Sequence, residues 1–156
     1  MAGKVQDEIQ QRKPHASVEE EALLNIIRTA DALTRDFEDM LKPHGLTATQ
    51  YNLLRILRGA GKPGATCSEI GERMVTKDPD ITRLVDRMEK RGLVKRSRDG
   101  RDRRVVTTSI TAEGLRKLDD LEAPVNKLPV QRFQGLSRQE ILELIHSLET
   151  IRHRVP

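Results

Sequence analysis

The sequence is poor in aromatic residues. It has 156 residues, of which two are phenylalanine and one is tyrosine, and it has no tryptophan. Proteins that bind RNA or single-stranded DNA commonly stack the bases on aromatic side chains. This composition therefore argues against that class, and it leaves leucine, isoleucine and valine to supply most of the core.

Cysteine and long apolar runs are also scarce. The single cysteine, Cys67, excludes an intrachain disulfide and fits a reducing compartment. The first 15 residues lack the apolar stretch of a signal peptide. No segment approaches the roughly 20 apolar residues that a membrane-spanning helix needs. We therefore expect a cytoplasmic protein that makes no membrane contact.

The sequence lacks the motifs that mark most enzymes. It has no glycine-rich phosphate loop, no nucleophile with an evident base and no Cys/His/carboxylate cluster with metal-binding spacing. The Gly-Lys-Pro-Gly at residues 61–64 is typical of a turn. We expect neither catalysis nor a bound cofactor or metal.

Positive charge, by contrast, is concentrated in one segment. Residues 90–104 hold eight basic and two acidic side chains, a net charge of +6, whereas the whole chain carries +4, so all other residues sum to −2. A local basic cluster of this kind is typical of a protein that binds nucleic acid. A solvated basic loop is the alternative interpretation.

The segment before this cluster has the pattern of a capped helix. Asp78 is a good N-cap and Pro79 suits the first helical position. Gly92 is placed to end the helix in a left-handed conformation. The apolar residues between them repeat at helical spacing and predict the inward face: Ile81, Leu84, Val85 and Met88.

Two strands with a basic tip follow this helix. Residues 93–97 and 105–110 favour strand by composition, and Asp99-Gly100 between them is a hairpin-turn dipeptide. A helix followed by such a hairpin has the layout of a winged helix-turn-helix. In that fold the helix enters the DNA major groove while the hairpin reaches the flanking minor groove or phosphates.

Capping patterns place the remaining helices. Ser17, Thr66 and Ser137 are each followed three residues later by glutamate, the pattern of a capping box. They predict a long helix from residue 17 to about 42, a short helix after residue 66 and a last helix to about residue 153. Either Thr47 or Thr49 caps a further helix to about Leu57.

The ends of the chain are predicted from weaker signals. A helix from Thr111 should kink or break at Pro124 and Pro129, and residues 1–16 are interpreted as a flexible arm. The predicted fold is mainly α with a small β-wing. Its winged helix-turn-helix covers about residues 46–110, within a domain that spans residues 17–156.

These motifs, in this order, resemble the MarR family of bacterial winged-helix regulators over roughly residues 20–153. The most specific parts are DITRLVDRMEKRGLV for the recognition helix, RDGRDRR for the wing and TTSITAEG after it, and LTATQYNLLRIL resembles the family's second helix. The resemblance implies a homodimer formed through terminal helices, here about 17–42 and 111–153. It also implies repression at a near-palindromic operator of double-stranded DNA, relieved by a small aromatic or phenolic effector or by cysteine oxidation.

The expected DNA contacts lie on the recognition helix and the wing. Asp80, Thr82 and Arg83 should meet base edges, with Arg87 on phosphate or base. Two alternatives stay open: Asp80 caps the helix, and Arg83 forms an ion pair with Asp80 or Asp86. The other candidate DNA-binding residues are Ser68, Lys77, Arg98, Arg101, Arg103 and Arg104. Asp102 resembles the family's wing aspartate, which implies that it orients a neighbouring arginine.

The effector and redox hypotheses rest on few residues. Phe37, Leu41, His44 and Tyr51 are candidates for the lining of an effector pocket, and plain core packing at a helix junction is the alternative. Cys67 lies at a helix N-terminus, which lowers the pKa of a thiol, yet it replaces an apolar residue of the family pattern. We expect a buried structural thiol.

Two other functions remain open. A winged-helix module can dock its basic wing on an acidic protein, or the chain can be an architectural DNA-binding protein that senses no effector. Sequence-specific and strongly salt-dependent DNA binding separates a regulator from both.

Overall fold

The computed structural model describes residues 4–77, 80–98 and 104–153. A 3-10 turn, Lys42–His44, joins the second and third helices. The helices and strands follow one another as α1 (Lys4–Glu8), α2 (Val18–Leu41), α3 (Ala48–Ala60), α4 (Cys67–Arg73), α5 (Ile81–Lys90), β1 (Val94–Arg98), β2 (Val106–Ile110), α6 (Ala112–Arg132) and α7 (Arg138–His153). The predicted fold, mainly α with a small two-stranded wing, is confirmed.

The chain divides into two compact units, Met1–Asp120 and Leu121–Pro156. The first contains α1 to α5, the wing and the start of α6, and the second contains the rest of α6 and α7. Among the described residues, no helix is both long and apolar enough to cross a bilayer.

Leucine-rich helices form the core of the first unit. Leu53, Leu54 and Leu57 of α3 are inaccessible to solvent, as is Ile70 of α4. The predicted inward face of α5 is confirmed for three of its four residues, which are buried: Leu84, Val85 and Met88. The fourth, Ile81, is half-buried. Removal of these side chains from water holds α5 against α4 and leaves its opposite face in solvent.

The wing is a two-stranded antiparallel sheet that a third segment extends. Its register pairs Val94 with Ile110 and Arg98 with Val106. Ala65, just before α4, exchanges two main-chain hydrogen bonds with Thr108 of β2, at 2.9 and 2.8 Å. The base of the wing is therefore attached to the helical core on the β2 side.

The capping predictions are confirmed at most helix starts. The Thr66–Glu69 capping box is present, and Thr47 rather than Thr49 forms a capping box with Gln50 at the start of α3. The Ser17 hydroxyl accepts the Glu20 N–H. Both bonds of the Ser137–Glu140 pair are present as well.

The recognition helix, α5, starts two residues later than predicted. Its N-cap is Asp80, whose carboxylate accepts the Arg83 N–H at 3.0 Å. Asp78 and Pro79 lie outside the described residues. The predicted end is confirmed: Gly92 has a φ of 71°, the left-handed conformation that favours glycine.

Two further predictions need correction. Residues 4–8 of the predicted flexible arm form helix α1, because Val5 gives it a side chain that becomes buried, and Arg28 of α2 pairs with Glu8 at 2.6 Å. The helix from Thr111 does not break, since α6 continues through Pro124 and Pro129. Each proline removes one main-chain bond, and the remaining bonds of a 21-residue helix keep it continuous.

Candidate nucleic-acid interface

The solvent-facing side of α5 carries polar and basic side chains from its first turn onward. Thr82, Arg83 and Arg87 are all exposed. The buried stripe on the other face fixes their direction, because residues three and four apart share one face of a helix. The structure thus presents three of the four predicted recognition-helix residues to solvent.

The fourth predicted residue, Asp80, binds groups of its own helix. Besides capping the helix, its carboxylate forms an ion pair with Arg83, from Nε to Oδ2 at 3.0 Å. Both open alternatives, the cap and the ion pair, are confirmed. These contacts assign Asp80 to helix capping and to the orientation of Arg83, and its contact with a base edge stays a prediction. The Arg83 side chain is 80% exposed, so this pair is weak and the guanidinium can turn to another acceptor.

Arg96 of β1 is turned away from solvent and toward α5. Its guanidinium forms ion pairs with Asp86 and, at 3.2 Å, with Glu89. It also donates to the Thr82 carbonyl at 3.3 Å, and its main-chain N–H donates to Glu89 at 2.9 Å. The hydrogen bond that Arg96 donates to the Asp86 carboxylate raises the pKa of Arg96 above its ordinary value. Four bonds thus join the first strand of the wing to the recognition helix.

Arg91, at the C-terminal end of α5, is also bound by protein groups. Its guanidinium donates to the Gly45 carbonyl at 2.7 Å and to the Gln50 side chain at 3.1 Å. Two of the eight residues in the basic cluster, Arg91 and Arg96, therefore hold the fold together. The charge count in the sequence could not distinguish them from cations that face solvent.

Several other basic side chains of the cluster do face solvent. Lys90, Lys95, Arg98 and Arg104 are exposed. Arg98 ends β1, so it lies at the tip side of the sheet. The remaining wing candidates, Arg101, Asp102 and Arg103, lie outside the described residues.

The helix-turn-helix contributes two more of the predicted contacts. Ser68 in the first turn of α4 and Lys77 in the turn before α5 are both exposed. The turn itself is held by Asn52 of α3, whose side chain accepts the Val75 N–H at 2.8 Å. Asn52 and Arg96 position this surface, and no local sequence pattern marks either of them for this role.

The predicted effector residues lie where α2 meets α3. Leu41 and Tyr51 are buried, and the rings of Phe37 and Tyr51 pack edge to face with centroids 5.4 Å apart. The His44 carbonyl accepts a bond from Lys117 at 3.0 Å. A cleft of about 400 Å³ beside them is lined by other residues: Glu38, Asp39, Lys42, Gly45, Leu46 and Thr47. The core-packing interpretation thus describes Phe37, Leu41 and Tyr51.

Cys67 is half-buried as the first residue of α4, so it is less buried than expected, and its structural role stays a prediction. The short helix starts at the chain surface, where its neighbours Ser68 and Glu69 are exposed. Among the residues that the structure describes, no group of three histidine, cysteine or carboxylate side chains could hold a metal ion.

Comparison with known proteins identifies this architecture. A family model described as the MarR family matches residues 46–106. The HTH-type transcriptional repressor MdtR of Bacillus subtilis (strain 168) is 31% identical over 108 residues, which cover 69% of this chain and 68% of MdtR. The chain belongs to the MarR family.

Solved structures of MarR-family proteins share the fold. The MarR transcription factor from Planctomyces limnophilus is 39% identical, with a TM-score of 0.66 and coverage of 87% of this chain and 98% of that one. CouR from Rhodococcus jostii RHA1, bound to p-coumaroyl-CoA, is 25% identical, with a TM-score of 0.74 and coverage of 91% and 99%. The S. aureus MepR–DNA complex, 18% identical with a TM-score of 0.76 and coverage of 86% and 97%, shows the same fold.

The family membership establishes the general activity. This MarR-family protein is a DNA-binding transcriptional regulator, and its relatives are transcriptional regulators and not enzymes. In that setting α5 is the recognition helix and the sheet of β1 and β2 is the wing.

Proposed function

We propose that this MarR-family regulator is a repressor that binds a near-palindromic operator as a homodimer and releases it when a small aromatic or phenolic effector binds. The observation that carries the DNA-binding part is the exposed basic surface formed by α5 and the wing. Because it acts on chromosomal DNA, we place the protein in the cytoplasm.

Each part of the basic surface has a separate task in this proposal. Thr82 and Arg83 meet base edges in the major groove, since arginine can pair with guanine and the threonine methyl can contact thymine. Phosphates or the minor groove receive the other contacts, made by Ser68, Lys77, Arg87, Arg98, Arg101, Arg103 and Arg104. Asp102 orients an arginine of the wing.

Exposed apolar side chains on the terminal helices support a dimer. Leu23 and Ile27, one helical turn apart on α2, are 56% and 57% exposed. No described residue of α7 is buried, although the helix carries four large apolar side chains that face solvent: Leu142, Leu144, Ile145 and Ile151. A second copy of the chain would remove such surface from water. Two-fold symmetry then places two recognition helices about one DNA turn apart.

The direction of regulation and the effector are inferred from relatives. MdtR is a repressor, and CouR binds p-coumaroyl-CoA, whose acyl group is aromatic. We therefore propose repression with relief by an aromatic ligand. The junction of α2 and α3 is the proposed effector region, because Arg91 joins it directly to the end of the recognition helix.

DNA binding is tested by fluorescence anisotropy with a duplex from upstream of the protein's own gene and a shuffled duplex, over a salt series. A sequence-specific regulator binds the first duplex more tightly, and its affinity falls steeply with salt. Equal binding to both duplexes, and to any duplex selected from randomised DNA, would contradict the proposal and favour a protein-docking wing.

A pair of matched variants separates base recognition from general charge. Arg83 and Arg35 each form an exposed ion pair with a carboxylate about one turn earlier in their helix. Arg83→Ala should weaken specific binding by about tenfold, which corresponds to one lost base contact. Arg35→Ala on α2 removes the same charge outside the proposed surface and should change binding little.

A further inference from the structure

We propose that Arg96 is a positioning residue for DNA recognition: it locks the wing onto the recognition helix without itself touching DNA. The lock holds α5 and the wing in one geometry, so that both reach their grooves at the same time. This inference rests on the operator binding proposed above. It adds a residue that affects specificity although it does not lie on the surface that contacts DNA.

The contacts of Arg96 span about two turns of α5. Its guanidinium contacts Thr82, Asp86 and Glu89, which lie on successive turns and share a helix face. The planar guanidinium offers donors in a fixed fork, so several acceptors fix its orientation as well as its distance. A shift of β1 along α5 or away from it must break several of these bonds together.

The same contacts argue against a DNA-binding role for Arg96. Its side chain is only 27% exposed, and two carboxylates lie within ion-pair distance. This local group of one cation and two anions has a net negative charge, which repels a phosphate. Within the part of the chain that the structure describes, Arg98 of the same strand is exposed and forms no ion pair with a carboxylate of α5.

The lock acts on the part of β1 beyond its buried first residue, Val94, since the turn before it is already fixed by main-chain bonds such as Leu93 N–H to the Met88 carbonyl at 3.0 Å. Only Arg91, Gly92 and Leu93 connect α5 to β1, and Gly92 has a positive φ. The opposite strand, β2, is attached to the core through Ala65 and through the chain into α6. Arg96 therefore adds a polar side-chain attachment to α5 for the part of β1 beyond Val94.

Neutralisation of the two carboxylates that bind Arg96 tests the inference, because the two interpretations of these carboxylates predict different changes in DNA affinity. Asp86→Asn and Glu89→Gln each remove a negative charge from the DNA-facing lobe. If these carboxylates were ordinary surface groups, both variants would bind DNA more tightly, since repulsion of phosphate falls. If they hold Arg96, non-specific binding should rise while the preference for the operator duplex falls.

The experiment compares the wild type with Arg96→Gln, Arg96→Lys, Asp86→Asn and Glu89→Gln. Lys95→Gln is the matched control, because Lys95 is the exposed neighbour on the same strand and its removal changes the charge equally. Fluorescence anisotropy gives the affinity for the duplex from upstream of the protein's own gene, or for a duplex selected from randomised DNA. It also gives the affinity for a shuffled duplex, and the ratio of the two affinities measures specificity. The salt slope and the thermal midpoint are measured for each variant.

We expect Arg96→Gln to lower the specificity ratio by about fivefold or more, the smallest effect of one misplaced base-pair contact. Its salt slope should stay at the wild-type value, and Arg96→Lys should restore part of the ratio. A slope that falls by about 0.9 for each contact would show that Arg96 binds phosphate and would overturn the inference. An unchanged ratio in both Arg96→Gln and Asp86→Asn would overturn it as well.

A second measurement does not require DNA. Amide hydrogen exchange of residues 94–98 should be faster in Arg96→Gln, while exchange of the buried helix α3 stays unchanged. If exchange is faster in Arg96→Gln but the wild type prefers no DNA duplex, the attachment of the wing by Arg96 is supported and operator binding is contradicted. Unchanged exchange in the strand would contradict the lock even if operator binding is confirmed.

Discussion

Gly114→Ala should destabilise the protein because α6 passes very close to the base of the wing. A Cβ on Gly114 would lie 2.7 Å from Cγ1 of Ile110 and closer still to the Leu93 carbonyl oxygen. That oxygen already accepts the Thr111 N–H at 3.1 Å. Since ordinary contacts of a Cβ begin at 3.4 Å, α6 or the chain at Leu93, just before β1, must move by about 1 Å.

The expected magnitude combines two opposing effects. Overpacking of a tight site costs about 1–3 kcal/mol, while replacement of a helical glycine by alanine contributes up to about 1 kcal/mol of stability. We therefore expect a net loss of about 1–2 kcal/mol in the free energy of unfolding, because the packing term exceeds the propensity term. Gly71→Ala in α4 is the control: its Cβ would lie 3.5 Å from Cγ1 of Ile81, an ordinary contact.

Urea denaturation is carried out on both variants at one fixed protein concentration, because the stability of the proposed dimer depends on concentration. Gly71→Ala should unfold at the same or a higher urea concentration than the wild type. Gly114→Ala should unfold at a lower one. If Gly114→Ala matched the wild type, the close approach of α6 to the wing would be refuted.

Three other substitutions test particular local contacts. Gly64→Ala should lower the thermal midpoint and detach β2 from the core. Gly64 has a φ of 103°, and a Cβ at this position would lie within 2.7 Å of the β2 main chain. Normal hydrogen-exchange protection of β2 in this variant would contradict the prediction. Ser137→Ala removes the N-cap of α7 and should cost about 1 kcal/mol, whereas Ser147→Ala within the same helix should be nearly neutral in the same thermal melt. The main-chain N–H of Thr66 lowers the pKa of Glu69 below its ordinary value of 4.5. The folded state then binds fewer protons than the unfolded state, so this contribution to stability is present above pH 4.5 and is lost as the pH falls through the folded-state pKa. Glu69→Gln should make the loss of stability in acid less steep, and an unchanged pH profile would show that the capping box has no such effect.

Local patterns predicted most helix starts because capping depends on residues close in sequence. The Thr66–Glu69 and Ser137–Glu140 pairs form as their spacing indicates. The start of α5 was less certain because Asp78 and Asp80 both suit an N-cap, and the pattern does not decide between two candidates two residues apart. The structure decides for Asp80 through its bond to the N–H three residues later.

Contacts between elements distant in sequence were beyond the reach of local patterns. Asn52 holds the turn at Val75, 23 residues away, and Arg91 reaches back to Gly45. Helix α1 forms because Val5 is buried, although the surrounding residues are polar and aperiodic. Composition describes the average environment of such a segment and not the single side chain that anchors it.

The basic cluster illustrates how a charge count and a structure answer different questions. The count marks the part of the chain that we propose for the DNA-binding surface, since eight cations lie within 15 residues. It overstates the charge available to DNA, because carboxylates on α5 neutralise Arg96, and Gly45 and Gln50 bind Arg91. The sequence does indicate that Lys95 and Arg96 differ, because neighbouring residues of a strand such as β1 lie on opposite faces of the sheet. Which of these faces meets α5 depends on the tertiary packing. The electrostatic surface of this regulator therefore follows from its fold and not only from its composition.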